Sequence, residues 1–251
     1  MKKIIFPALC LAACIVASSI SIITYATSRS EDKEQCTSSP DNEKTVAVGT
    51  FNKIDTEGVN IRLTIGEPST SGTLTGKAEK ISDVEIKNEN GTLKVCYTRD
   101  SHRRQKGSLP TLTVSTASIK DIEAALAAKV TVDGEIISDD KVEVSTSTAA
   151  NVNLGTIKAQ KVSLESETAS AIKVGCVQAT ELECEAETAS KISVAGTCTL
   201  MKLSAETAAK ISATGMKADS TRAEASTAGS ISCPQNNITF KKETGGSISA
   251  N

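Results

Sequence analysis

The sequence predicts an all-β fold, a parallel β-solenoid (β-helix) with repeats of about twenty residues behind a β-rich N-terminal cap. Three observations carry that prediction. Near-copies of one octapeptide recur: "SETASAIK" at 166–173, "AETASKIS" at 186–193 and "AETAAKIS" at 205–212. Apolar residues alternate with polar ones on both sides of each Thr-Ala. Aromatic residues make up only 2 % of the chain, so the core must be built from small and β-branched side chains stacked in layers.

The chain begins with a separate object. Lys2 and Lys3 precede an apolar run from Ile4 to about Ala26, the pattern of an export signal. Three readings of this segment stay open. Thr24-Tyr25-Ala26 offers small residues for cleavage after Ala26. The run is also long enough to stay as a membrane anchor. "LAAC" at 11–14 resembles a bacterial lipobox, which makes Cys14 a candidate lipidation site. All three place the rest of the chain outside the cytoplasm, in the cell envelope (periplasm, outer membrane or cell surface). Residues 27–44 are rich in Ser, Glu and Asp without periodicity and read as a flexible spacer.

Strands begin at Thr45 and occupy a single domain, 45–251. "TVAV", "VNIRLTI" and "VEIKN" alternate, and Asn90-Gly91 separates "VEIKNE" from "TLKVCY" as a hairpin turn. A basic loop at 99–108, with Arg99, Arg103, Arg104, Lys106 and the sole His102, leads to the strand "TLTV".

The repeats follow. Anchored on the Thr of Thr-Ala, they align at Thr148, Thr168, Thr188, Thr207, Thr227 and Thr244, with Leu126 in the equivalent slot upstream; successive anchors lie 17–22 residues apart. Six before the anchor stand Val142, Val162, Leu182 and Met201; four before it, Val144, Leu164, Cys184 and Leu203. Four after it stand Val130, Val152, Ile172, Ile192, Ile211, Ile231 and Ile248; six after it, Val132, Leu154, Val174, Val194 and Ala213. A Gly follows one or two residues later. Even offsets are apolar and odd ones polar, so the period is two and each repeat contributes two strands with one face inward. Helical solenoids need period 3.6, and leucine-rich repeats need a Leu-x-x-Leu-x-Leu pattern that is not there. One repeat cannot bury its inward face alone; stacked coils bury it as ladders. Each buried aliphatic side chain contributes about 1.5–3 kcal/mol. Thr188 and Ala189 are then a corner of the coil, and not a binding motif.

The layout resembles a known family, the putative auto-transporter adhesin head domain (GIN-type domain) of exported Bacteroidota proteins. The matching stretches are "FNKIDTEGVNIRLTIG" at 51–66, "DVEIKNENGTLKV" at 83–95, "LPTLTVSTASIKDIEAALAAKVTVDG" at 109–134 and the terminal "TGGSISAN". That family carries Ser-Gly-Ala-Ser repeats where this chain has Thr-Ala-Ser, Thr-Ala-Ala and Thr-Ala-Gly. The resemblance spans about 45–251. It implies a surface-exposed or periplasmic β-solenoid of adhesin-like character, and it brings no catalytic residues with it.

The residues themselves point to no chemistry. His102 stands in a basic loop far from the repeat cysteines, so no nucleophile, base and orienting acid come together in sequence. Six cysteines lie beyond the apolar segment: Cys36, Cys96, Cys176, Cys184, Cys198 and Cys233. They form no Cys-x-x-Cys pair, and with one His a zinc site is not expected. Cys184 sits in an inward column and reads as structural; Cys176 and Cys198 are one repeat apart but out of register. Glu167, Glu187, Glu206 and Glu243 precede the anchors and would stack as a ladder of like charges, with Lys191 and Lys210 across the corner as relief. No cofactor, metal or catalytic site is therefore expected. The net charge of −2 leaves nucleic acid without an electrostatic handle. The expectation is a cell-envelope protein binding a glycan or a protein, touching the membrane only through its N-terminal segment. The alternatives are a polysaccharide lyase, which needs clustered carboxylates, a base and aromatic platforms in one groove, or a structural or signalling envelope protein. Ligand, N-terminal processing, disulfides and oligomeric state are not written in the sequence.

Overall fold

The computed structural model describes residues 42–97, 107–235 and 237–250, all within one compact unit, 39–251. The expectations for Cys14, Cys36, His102 and the basic residues 99–106 fall outside the described residues.

The strands are β1 (Asn42–Ala47), β2 (Lys53–Glu57), β3 (Asn60–Ile65), β4 (Ser71–Gly76), β5 (Val84–Glu89), β6 (Thr92–Tyr97), β7 (Thr111–Thr116), β8 (Asp121–Ala125), β9 (Lys129–Ile137), β10 (Lys141–Thr146), β11 (Asn151–Ser166), β12 (Ala171–Ala186), β13 (Lys191–Ala205), β14 (Lys210–Ala225), β15 (Ser230–Cys233), β16 (Ile238–Lys242) and β17 (Ser247–Ala250). One short helix, α1 (Ala78–Ile81), follows β4. The fold is a parallel β-solenoid, as the repeat predicts.

From β8 onward each coil lies in parallel register on the next. The column Val144, Leu164, Cys184, Leu203 and the column Val152, Ile172, Ile192, Ile211 pair residue for residue, and all these side chains are buried. The expected two strands per repeat are in fact one bent strand running from corner to corner, as in β11 and β12. A short third stretch after the Gly adds an inward column through Ile136, Ile157 and Val177. Unequal repeat lengths are absorbed at this bend: the register shifts by one residue between Val174 and Val177, and shifts back between Ser193 and Ala195. Both long arms of the coil thus keep their columns aligned. Gly196 is obligatory there, with φ +131° and a Cβ position that would fall 2.0 Å from the Val177 carbonyl oxygen.

The corners lie where the alignment puts them. Thr168 and Ala169 have φ 42° and 60°, Thr188 and Ala189 46° and 62°, and Leu126 and Ala127 53° and 62°. Two consecutive left-handed residues without glycine cost about 1–2 kcal/mol each. Two hydrogen bonds hold them. Ser170 N donates across the turn to Glu167 O (3.2 Å), and Ala169 N donates to Thr188 O of the next coil (3.0 Å). The ladder therefore runs through the corner unbroken. Beneath it, the buried hydroxyls of Thr146, Ser166 and Ser170 lie within 2.8–3.1 Å of one another, and Ser190 Oγ donates to Ser166 O (2.6 Å). Small polar residues can occupy this column because each finds a partner.

The N-terminal cap holds more solenoid than its sequence suggests. β2 and β3 form one coil, β6 and β7 another, and both join the parallel stack. Their order is interchanged: β2 lies between β6 and β8, and β3 between β7 and β9. β1, β4 and β5 pair antiparallel only, β1 with β4, β4 also with β7, and β5 with β6. The β5–β6 hairpin turns at Asn90 (φ 53°) and Gly91 (φ 79°), as Asn-Gly predicts. At the other end, Lys242 takes the inward column of Ala225, with its ammonium 5.3 Å from the Phe240 ring centre. A charge in an inward column opposes stacking of a further coil.

Candidate functional site

The two long arms of the coil give the solenoid two outward surfaces, and these differ in charge. The first is formed by β2, β6, β8, β10, β16 and the second halves of β11–β14. One of its outward columns reads Lys53, Asp121, Glu143, Ser163, Glu183, Lys202, Arg222; the adjacent one reads Asp55, Glu123, Ser145, Glu165, Glu185, Ser204, Glu224. The second surface is formed by β3, β7, β15, β17 and the first halves of β9 and β11–β14. Its columns read Asn60, Lys129, Asn151, Ala171, Lys191, Lys210, Ser230, Ser247 and Arg62, Thr131, Asn153, Lys173, Ser193, Ser212, Ser232, Ser249. These two columns contain no acidic residue.

Ion pairing separates the surfaces further. On the acidic surface the cations are engaged: Lys53 with Asp121 (3.1 Å), Lys161 with Glu183 (2.7 Å) and Glu181 (3.3 Å), Lys202 with Glu181 (2.7 Å), and Arg222 with Glu224 (2.7 Å). Lys141 is likewise paired with Glu143. On the second surface, Arg62, Lys129, Lys173, Lys191 and Lys210 form no salt bridge among the described residues. All five side chains are exposed.

This arrangement corrects one expectation. Glu167, Glu187 and Glu206 do stack as successive corner residues, each amide donating to the coil before it. Lys191 and Lys210, however, do not pair with them. The corner turns these lysines onto the other surface, where no carboxylate stands opposite. The acidic surface is relieved by Lys161 and Lys202 instead, and incompletely. Partial desolvation, with Glu167, Glu185, Glu187 and Glu143 around it, raises the Glu165 carboxyl above the ordinary range. Desolvation and then Asp121, Asp55 and Glu143 do the same to Glu123. Conversely, the hydrogen bond from Lys202 leads the effects that hold Glu181 below that range.

The described cysteines, Cys96, Cys176, Cys184, Cys198 and Cys233, are free thiols. Cys184 is wholly buried in its inward column, and burial pushes its thiol far up. Cys198 is pushed up to about 11, mainly by burial. Its strand partner is Ala179, whereas Cys176 pairs with Thr156, so the two cysteines are out of register and both free. Among the described residues, no group of three or more His, Cys, Asp and Glu side chains is placed to hold a metal ion. No described helix is long and apolar enough to cross a membrane.

Depressions open on both surfaces, and two of them hold cationic side chains. One of about 320 Å³ on the acidic side is lined by Glu183, Glu185, Lys202, Ser204, Arg222 and Glu224, with Cys184 and Leu203 beneath. The other, of about 420 Å³, opens on the second surface between Arg62 and Lys129, with Asn60, Thr111, Thr131 and Asp133 around them and Ile61 at its base. No aromatic residue lines either one.

Residues 50–250 match the family model described as putative auto-transporter adhesin, head GIN domain. The chain belongs to this family. A putative adhesin from Parabacteroides merdae superposes with a TM-score of 0.72 at 15 % identity, over 84 % of this chain and 96 % of its own. A putative lipid binding protein from Parabacteroides distasonis gives 0.71 at 15 % identity, over the same 84 % and 96 %. A putative adhesin from Bacteroides fragilis gives 0.57 at 16 % identity, over 85 % and 98 %. At such identities these likenesses speak for the fold. No curated protein matches the sequence.

Proposed function

We propose that this member of the GIN-type family is an exported, non-catalytic binding protein of the cell envelope, adhesin-like in character, which holds its ligand on the outside of a rigid solenoid. The observation that carries this reading is the second surface. Five cations stand there without carboxylate partners among the described residues, in columns whose other members are mostly Ser, Thr and Asn. The interior supports it too, since its columns are filled with packed aliphatic side chains. The N-terminal apolar run supplies export, with lipidation at Cys14 or retention as an anchor as routes of attachment. The adhesin names of the structural neighbours agree with binding, and the one named lipid binding adds lipid to the ligands worth testing.

The lyase alternative finds carboxylates and bases together beside Ser204, but Lys202 and Arg222 are committed to ion pairs there. The test is a screen of the full chain against envelope glycans, lipids and proteins, run beside an assay for unsaturated products released from acidic polysaccharides. Retention of the chain by an envelope fraction without product release is expected. Product formation that disappears in Lys202→Ala would overturn the non-catalytic reading.

A further inference from the structure

We infer that the second surface binds an extended anionic glycan, a chain bearing carboxylate or sulfate groups. The inference rests on the envelope-binding reading above and names the ligand class and the surface. Coils rise by about 4.8 Å, so Arg62, Lys129, Lys173, Lys191 and Lys210 mark out a track along the rod rather than a point. Among the cations stand Thr131, Asn151, Asn153, Ser193 and Ser212, each in register with its neighbour above and below. A sugar polymer presents the complement of this pattern: hydroxyls at every unit and anions at intervals, on a repeat length close to one coil. The depression between Arg62 and Lys129 gives the track a recess at one end, with Asp133 on its wall.

Other occupants fit less well. A protein partner wants an apolar centre to its interface, and Ala171 is the sole apolar residue in these columns. A membrane surface wants aliphatic or aromatic residues that enter the acyl boundary, and the columns offer none. Single-stranded nucleic acid wants stacking platforms, also missing here. Charge and hydroxyls without apolar or aromatic area fit a charged sugar chain.

The experiment titrates the full chain with polygalacturonate, its methyl-esterified form, heparin, and phosphatidylglycerol vesicles, at rising salt. Polygalacturonate or heparin should bind, and affinity should fall steadily with salt. Methyl esterification should abolish most of the binding to polygalacturonate. Exposed charge pairs are individually weak, so the triple variant Lys173→Ser, Lys191→Ser, Lys210→Ser should lose roughly tenfold. Glu165→Gln with Glu185→Gln, on the opposite surface, should lose none. The three lysine side chains form no ion pair among the described residues, so the variant should melt with wild type; should it not fold, the salt series and the esterified polymer decide alone. Binding to neither polyanion, a flat salt dependence, unchanged affinity in the folded triple variant, or tighter binding to vesicles than to both glycans would each overturn the assignment. If wild type and variant are then retained equally by an isolated envelope fraction, only the ligand class has failed. If no envelope fraction retains either, the underlying binding function has failed with it.

Discussion

The two outward surfaces of the solenoid rest on the same interior and the same backbone ladder, yet one is closed, in that its cations are paired while carboxylates such as Glu165 stay crowded, and the other is open, its cations unpaired among the described residues. On the acidic surface each cation in the columns is matched to a carboxylate on its own or a neighbouring coil. Across the corner, Lys173, Lys191 and Lys210 stand among Ser and Asn with nothing to neutralise them. The fold demands neither pattern, because outward positions tolerate almost any polar residue. The difference teaches that the acidic surface matches its cations within the fold, whereas the cations of the second surface find no carboxylate among the described residues.

Substitutions can break or sharpen that contrast. The largest effect belongs to the interior that both surfaces share. Ile192 is 1 % exposed in the middle of its column, so Ile192→Asp must bury a carboxylate and should cost more than about 4 kcal/mol. Thermal unfolding followed by circular dichroism should find the solenoid lost, and a wild-type midpoint would mean the register is wrong. Next comes the closed surface. Lys161 joins Glu181 and Glu183, and Lys161→Met leaves these two neighbouring carboxylates of β12 with one fewer cation. A loss of about 0.5–1 kcal/mol, or roughly 1–4 °C in midpoint, is expected, and it should shrink in high salt. No change would place the acidic surface on the same footing as the open one.

The smallest effect is also the most specific. Glu165 has a raised folded-state pKa, so folding binds its proton more tightly than the unfolded chain does. Its contribution therefore favours the fold below the unfolded value of about 4.3 and is lost as pH rises through the folded value. Glu165→Gln should accordingly raise stability at neutral pH by a few tenths of a kcal/mol and leave it unchanged in acid. A variant that is less stable than wild type at pH 7 would show that the carboxylate is a structural partner. Glu181, held down by its lysines, must behave in the opposite sense: its contribution is present at neutral pH and is lost as pH falls through its depressed value.

Much of this was legible before any coordinates. The columns through Val144 and Ile192 follow from period two, and the corner at Thr188-Ala189 follows from the alignment, although neither residue favours positive φ. The one-residue shifts at Val174/Val177 and Ser193/Ala195 were visible as unequal repeat lengths, without a sign of where the slack would go. The interchanged order of β2 and β6 left no trace, because those coils carry no Thr-Ala signature and parallel pairing between distant strands has no local signal. The open surface was within reach. The odd offsets three and five after each anchor hold no acid, yet in sequence Lys191 and Lys210 lie nearest Glu187 and Glu206. The corner sends the two groups to different surfaces, and only the path of the backbone reveals it.

The central claim is that binding uses the open surface and spares the closed one. Lysine acetylation footprinting, read by mass spectrometry with and without an envelope glycan fraction, asks this of both surfaces in one experiment. Protection at Lys129, Lys173, Lys191 and Lys210 with unchanged labelling at Lys161 and Lys202 is the predicted result. Protection centred on Lys161 and Lys202, with the other four still labelled, would contradict it.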